Sequence, residues 1–189
     1  MAVPVGWVWL LGYDYQADSM IDPTPSFEAA NPSLKSLVES MENSTGLPGT
    51  DGALLFDSAA AQAHKYLVGS WMFGGAIASS GLAAEAKSYA SGVAAQFYLK
   101  PAAVKTTLMS FSAGPGFKAE WTYVGGQPID ASGSWPAPKG AKIQHVDYTI
   151  AAPNETYFLD FETEASSSTA YGPIFDQIAR TFTPLPANG

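Results

Sequence analysis

A chain of 189 residues, 47% hydrophobic and only 14% charged, suits one domain that buries roughly 70% of its unfolded surface without a disulfide or metal staple. It has no cysteine, which excludes thiol catalysis, thiolate metal sites and redox switching. Its net charge of -8 repels nucleic acid and anionic lipid.

The charge is lopsided: residues 1–57 hold eight acids and a single base, Lys35. This segment reads as a solvated acidic rim, or as the first surface a cation or basic partner would meet. No apolar run reaches membrane-spanning length, so no direct membrane insertion is expected. The opening Met1-Ala2-Val3-Pro4-Val5-Gly6-Trp7 lacks the basic flank and apolar stretch of a signal peptide. The chain is therefore expected either to be cytoplasmic or to follow a removed leader, and the exported reading is preferred.

Residues 3–11 are apolar and β-prone and form an expected first strand. Residues 14–27, with Asp-Pro, Thr-Pro and scattered acids, read as loop. Asn31-Pro32 supplies a cap and an N1 proline, and Leu34, Leu37, Val38 and Met41 then give one helical face. Residues 53–56 and 65–77 are expected strands. Ser79-Ser80-Gly81 opens an alanine-rich helix whose inner face is Leu82, Ala86, Tyr89, Val93 and Phe97, closed by Pro101. Residues 104–111 form a strand, Ala113-Gly114-Pro115-Gly116 a turn, and residues 117–123 a strictly alternating strand. The Gly/Pro/Ser-rich stretch 125–140 is long for a compact domain and is a candidate lid or partner loop.

The last third carries the strongest pattern. Residues 142–150 and 157–163 alternate around Pro153-Asn154, and a turn there pairs Ile150 with Tyr157, Asp147 with Asp160 and His145 with Glu162. Val146, Tyr148, Ile150, Tyr157, Leu159 and Phe161 then form a core face. Ile174, Phe175, Ile178 and Phe182 of a final helix pack on it. Hairpins with interspersed helices and no linker imply one α+β domain over residues 1–189, an antiparallel sheet flanked by helices.

Several stretches resemble the PsbP-like fold family, which spans a photosystem II extrinsic protein, a Ran-binding import factor and bacterial DcrB-type and LpqN-type proteins. They are Pro4-Val5-Gly6-Trp7, the helix over residues 81–99, the strand over 114–123, and the closing hairpin and helix. The similarity is nearest to the exported bacterial branch and covers almost the whole chain. It implies an α/β/α sandwich and a non-enzymatic accessory or protein-binding role. It supplies no functional residues, because the branches share no common site.

The hairpin's other face gathers His145, Asp147, Asp160, Glu162 and Glu164. Like charges opposite one another destabilise a ladder. This row is either a solvated face relieved by Lys118 or Lys142, or an oxygen-rich cation site, or a docking face for a basic partner. Trp135, within Gly133-Ser134-Trp135-Pro136, either pins its loop or anchors a partner. Partner-binding candidates are therefore Trp135, Asp160 and Glu162, and metal candidates His145, Asp147, Asp160, Glu162 and Glu164. No serine sits in a nucleophile elbow, the Gly-Gly pairs lack a phosphate-loop spacing, and His64 reads as a surface residue. No catalytic residue and no cofactor is expected. The leading expectation is a non-enzymatic domain that binds another protein; the alternatives are a divalent-cation-binding domain and a chaperone-like adaptor for an exported client.

Overall fold

Alternating apolar residues build strands that must find partners, and here they find them in one sheet. The computed structural model describes residues 7–14, 19–21, 52–57, 67–126 and 137–183. The strands are β1 (Trp7–Asp14), β2 (Ser19–Ile21), β3 (Gly52–Asp57), β4 (Leu67–Gly74), β5 (Lys105–Phe111), β6 (Gly114–Val124), β7 (Lys142–Ala151) and β8 (Thr156–Glu164). Among the described residues the α-helices are α1 (Leu82–Gln96) and α2 (Ser168–Thr181). The strands lie in the order β2-β1-β3-β4-β8-β7-β6-β5, and every neighbouring pair is antiparallel. The β4–β8 seam joins the N-terminal and C-terminal halves of the sheet.

The two helices cover opposite faces. Even-numbered positions of β7 point to α2: Val146, Tyr148 and Ile150 join Tyr157, Leu159 and Phe161 of β8 against Phe175, Ile178, Ala179 and Phe182. Phe161 and Phe175 stack with centroids 4.6 Å apart, and burying each such side chain contributes about 1.5–3 kcal/mol. Odd-numbered positions face α1, where Leu82 and Ala86 pack on Phe117 and Ala151. The expected α+β class, with helices on a central antiparallel sheet, is what the chain adopts.

The hairpin register holds as read from the alternation: Ile150 opposes Tyr157, Asp147 opposes Asp160 and His145 opposes Glu162. Two local expectations change. Within the expected loop 14–27, Ser19–Ile21 pairs with the end of β1 as a short edge strand. The tight turn after β5 is Ser112-Ala113, and Gly114-Pro115-Gly116 already belongs to β6. Glycine at 116 is required by a close approach, since a Cβ there would meet the Thr149 carbonyl oxygen and the Phe111 ring. The expected helix near residues 31–45, His64 and Trp135 lie outside the described residues. No described helix is long and apolar enough to cross a membrane.

Helix α1 ends in an unusual way. Tyr98 takes φ +54°, the left-handed position that glycine ordinarily fills after a helix. The Leu99 amide donates to Ala94 O at 2.7 Å across it.

Candidate functional site

The polar face of the terminal hairpin, odd-numbered on β7 and even-numbered on β8, turns inward beneath α1 and not toward solvent. His145 is 2% exposed and Glu162 1% exposed. The alternation of β7 and β8 put these residues on one face, but it did not show that α1 closes over that face. Lys118 does not relieve the carboxylates: it lies on the α2 side, opposite Tyr148, and bridges Glu120 and Asp176 at 3.0 Å each. Lys142 points the same way as Lys118 and makes no ion pair among the described residues.

The histidine is held from both ring nitrogens. Nε2 lies 2.8 Å from Asp147 Oδ1 and 2.9 Å from Asp160 Oδ1, and Nδ1 lies 2.7 Å from Glu162 Oε1. A neutral imidazole has one N–H and one lone pair. Whichever nitrogen kept its lone pair would then face a carboxyl oxygen, so the ring carries a proton on both nitrogens, or the facing carboxyl is itself protonated, or a cation sits between them. Burial alone would lower the imidazole pKa, but Asp160, Asp147 and Glu162 outweigh it and raise the pKa well above 6.5. The Asp160 carboxyl is pushed up to about 7, chiefly by desolvation, with Asp147 and Glu162 adding to the rise and His145 opposing it.

Aromatic residues build the walls. The Trp121 ring stacks on His145 with centroids 3.9 Å apart and planes 17° apart, a placement that favours a cationic ring. Phe97, just past α1, meets His145 edge-on at 6.0 Å. Tyr123 donates its hydroxyl to Glu162 Oε1 at 2.9 Å. Tyr89 of α1 donates to Asp147 Oδ2, and burial followed by Asp147 holds its phenol well above the usual pKa. The lid helix is thus tied to the centre by a hydrogen bond as well as by packing.

Of the five metal candidates, three bring ligand atoms together: His145, Asp147 and Asp160 offer donors that all lie within 4.8 Å of one another. Glu162 serves the far nitrogen instead. Glu164, opposite Ile143 at the strand end, takes the Ser166 hydroxyl at 3.4 Å and stands apart from the cluster. Of the partner-binding candidates, Asp160 keeps 21% of its side chain exposed, while Glu162 has almost none. Tyr89, Phe97, Trp121 and Tyr123 were missed as site residues. Their signal was present: Trp121 and Tyr123 share the alternating face of β6, and the β6–β7 register sets Trp121 opposite His145.

No protein-family model matches this chain, and no curated protein matches it in sequence.

Proposed function

We propose that this chain is a binding domain whose buried His145 centre takes a divalent transition-metal cation. One observation carries the reading: two carboxylate oxygens converge on the same imidazole nitrogen while the other nitrogen already faces Glu162. With the Nδ1 proton kept on the side of Glu162, the Nε2 lone pair can ligate an ion that replaces its direct contacts with Asp147 and Asp160. Glu162 and Tyr123 then form the outer carboxylate–histidine support that fixes ring orientation at metal sites.

The spacing suits an ion. Octahedral bonds of about 2.0–2.1 Å place neighbouring ligand atoms about 2.8–3.0 Å apart, while tetrahedral zinc would open that to about 3.3–3.4 Å. The Nε2–Oδ1 separations of 2.8 and 2.9 Å fall at the octahedral spacing. Thr149 Oγ1, one step along the same face from Asp147, is buried with no hydrogen-bond partner among the described residues, a spare oxygen for an ion's water. One nitrogen with two carboxylates favours manganese, iron(II) or zinc over calcium, which prefers oxygen alone.

Calorimetry on chelator-treated protein tests the reading with zinc, manganese and calcium. Saturable heat and a raised melting temperature are expected for the first two, both lost in Asp147→Asn and Asp160→Asn. No heat and no melting shift at millimolar metal would show that the centre is a proton-bridged salt bridge alone. The resemblance to the PsbP-like family, carried by the sequence stretches 4–7, 81–99, 114–123 and the closing hairpin and helix, and the exported accessory role it suggests are compatible with such a non-enzymatic binding domain.

A further inference from the structure

The sheet has two edges, and they are finished very differently. Strand β2 at one edge is three residues long, a common way to blunt an edge against unwanted pairing. Strand β5 at the other is seven residues long, and its register with β6 runs without a bulge from Lys105 opposite Glu120 to Phe111 opposite Gly114. It contains no proline, and its one charge, Lys105, stands at its first residue. Lys105, Thr106, Thr107 and Ser110 are exposed, and Leu108 at the centre is 58% exposed. A long, regular strand open on both faces is a template for another strand.

Beside this edge runs a groove of about 540 Å³ between the strand and the last turns of α2, lined by Thr107, Met109, Lys118, Glu120, Asp176 and Arg180. Lys118 is neutralised by Glu120 and Asp176, and the Tyr148 hydroxyl also donates to Asp176 at 2.6 Å. Arg180 and Lys105 make no ion pair among the described residues. The four charged side chains that line the groove sum to zero, two carboxylates sharing Lys118, and the one of them outside an ion pair among the described residues is the Arg180 guanidinium, with the Lys105 ammonium at the end of the strand.

We infer that β5 receives an extended peptide as a ninth strand, with an acidic side chain of that peptide seated on Arg180. Main-chain hydrogen bonds to the open edge supply affinity, Leu108 and Met109 offer apolar contact to alternate residues, and Arg180 selects for a carboxylate. Charge argues against a second copy of this chain as occupant. A copy would bring Lys105 and Arg180 again, with no carboxylate on its own β5 to meet them, and two bodies of charge -8 repel.

Panning a random nine-residue phage-displayed library against the full chain tests the inference, with Leu108→Lys and Arg180→Glu proteins as counter-targets. Both positions are exposed, so unchanged circular dichroism melts are expected and serve as the folding check. Enriched peptides should alternate apolar residues and carry an aspartate or glutamate. A synthetic, fluorescein-labelled winner should bind at least tenfold more weakly to either variant, and a central proline in the peptide should abolish binding. Binding should persist in chelator, which separates this edge from the His145 centre. No enrichment, or peptides that bind both variants as well as the parent, would overturn the inference. So would a dimer in sedimentation velocity that Leu108→Lys dissolves, since the edge would then belong to a second copy.

Discussion

Replacing His145 with glutamine removes the one cationic group that three buried carboxylates share. Glutamine keeps roughly the volume against Trp121 and retains two amide N–H donors, so the loss is mainly electrostatic. Asp147, Asp160 and Glu162 each stand within 3 Å of the ring, and stranding buried charge by removing its partner costs about 3–5 kcal/mol. Against a total stability of about 5–15 kcal/mol, His145→Gln leaves the domain marginal. The cost should depend on pH in a definite direction. The folded imidazole pKa lies above 6.5, so the stability it contributes is fully present below pH 6.5 and is lost as pH rises through the folded value. Asp160, raised from 3.8 to about 7, holds a proton in the folded state that the unfolded chain releases, so its contribution also fades between pH 4 and 7. Asp160 is protonated at pH 5 with or without the histidine, so it does not offset the imidazole's trend. Urea titrations followed by circular dichroism at pH 5 and pH 8, in chelator, should give a larger loss at pH 5, where the imidazole's contribution is fully present. Adding Asp160→Asn to His145→Gln should recover part of the loss at pH 8, a coupling that a double-mutant cycle reads directly. A loss below about 1 kcal/mol that is equal at both pH values would refute the electrostatic account.

Metal affinity at the centre should rise with pH, because an ion must displace the Nε2 proton and the Asp160 proton. Calorimetric titrations at pH 5.5, 6.5 and 7.5 should show tightening of about tenfold or more per unit, and a flat profile would place the ion elsewhere. Tyr89→Phe removes the donor to Asp147 and should cost about 1–3 kcal/mol, with faster amide exchange along α1 as its signature. Tyr98→Gly relieves a left-handed aromatic residue and should stabilise by about 1 kcal/mol, read as a rise in Tm of about 2–4 °C. Gly116→Ala forces a methyl group onto the Thr149 carbonyl and should lose about 1–3 kcal/mol, measured by chemical denaturation.

The hairpin was legible because its period is two and its turn is marked by Pro153-Asn154: once Ile150 faces Tyr157, every later pair follows. The packing of α2 was legible for the same reason, since Phe175, Ile178 and Phe182 recur at helical spacing and only one apolar sheet face was in view. The polar face was read correctly as to membership and incompletely as to surroundings. Its row of acids looks like surface because charged residues almost always are, and the sequence of α1, unlike that of α2, does not announce which face of the sheet it will cover. What decides is the crossover from β4 through α1 to β5, a long-range fact. It sets Tyr89 over Asp147 and Phe97 against His145. The Ser112-Ala113 turn was misplaced for a local reason: Gly-Pro-Gly is ordinary turn chemistry, but here glycine serves the close approach of β6 to β7.

The two candidate surfaces divide the work of the sheet in a way the topology explains. Strands β6, β7 and β8 lie inside the sheet, so their side chains can be buried on both faces, and the His145 centre can be built from rigid ladder positions with α1 as its roof. The charges there are affordable only because they are shared among residues whose backbones cannot drift apart. Among the described residues β5 is the last strand of the sheet, its side chains mostly exposed, and its outer main-chain edge is left to whatever meets it from outside. The link between the two runs through β6: Trp121 stacks on His145 on one face, while Lys118 and Glu120 line the β5 groove on the other. Filling the centre with an ion should rigidify β6 and lower the ordering cost of a strand added beyond β5. A peptide selected on the edge should therefore bind more tightly with zinc present than in chelator, though it binds in both. An identical affinity in the two conditions would show that the interior centre and the open edge act independently.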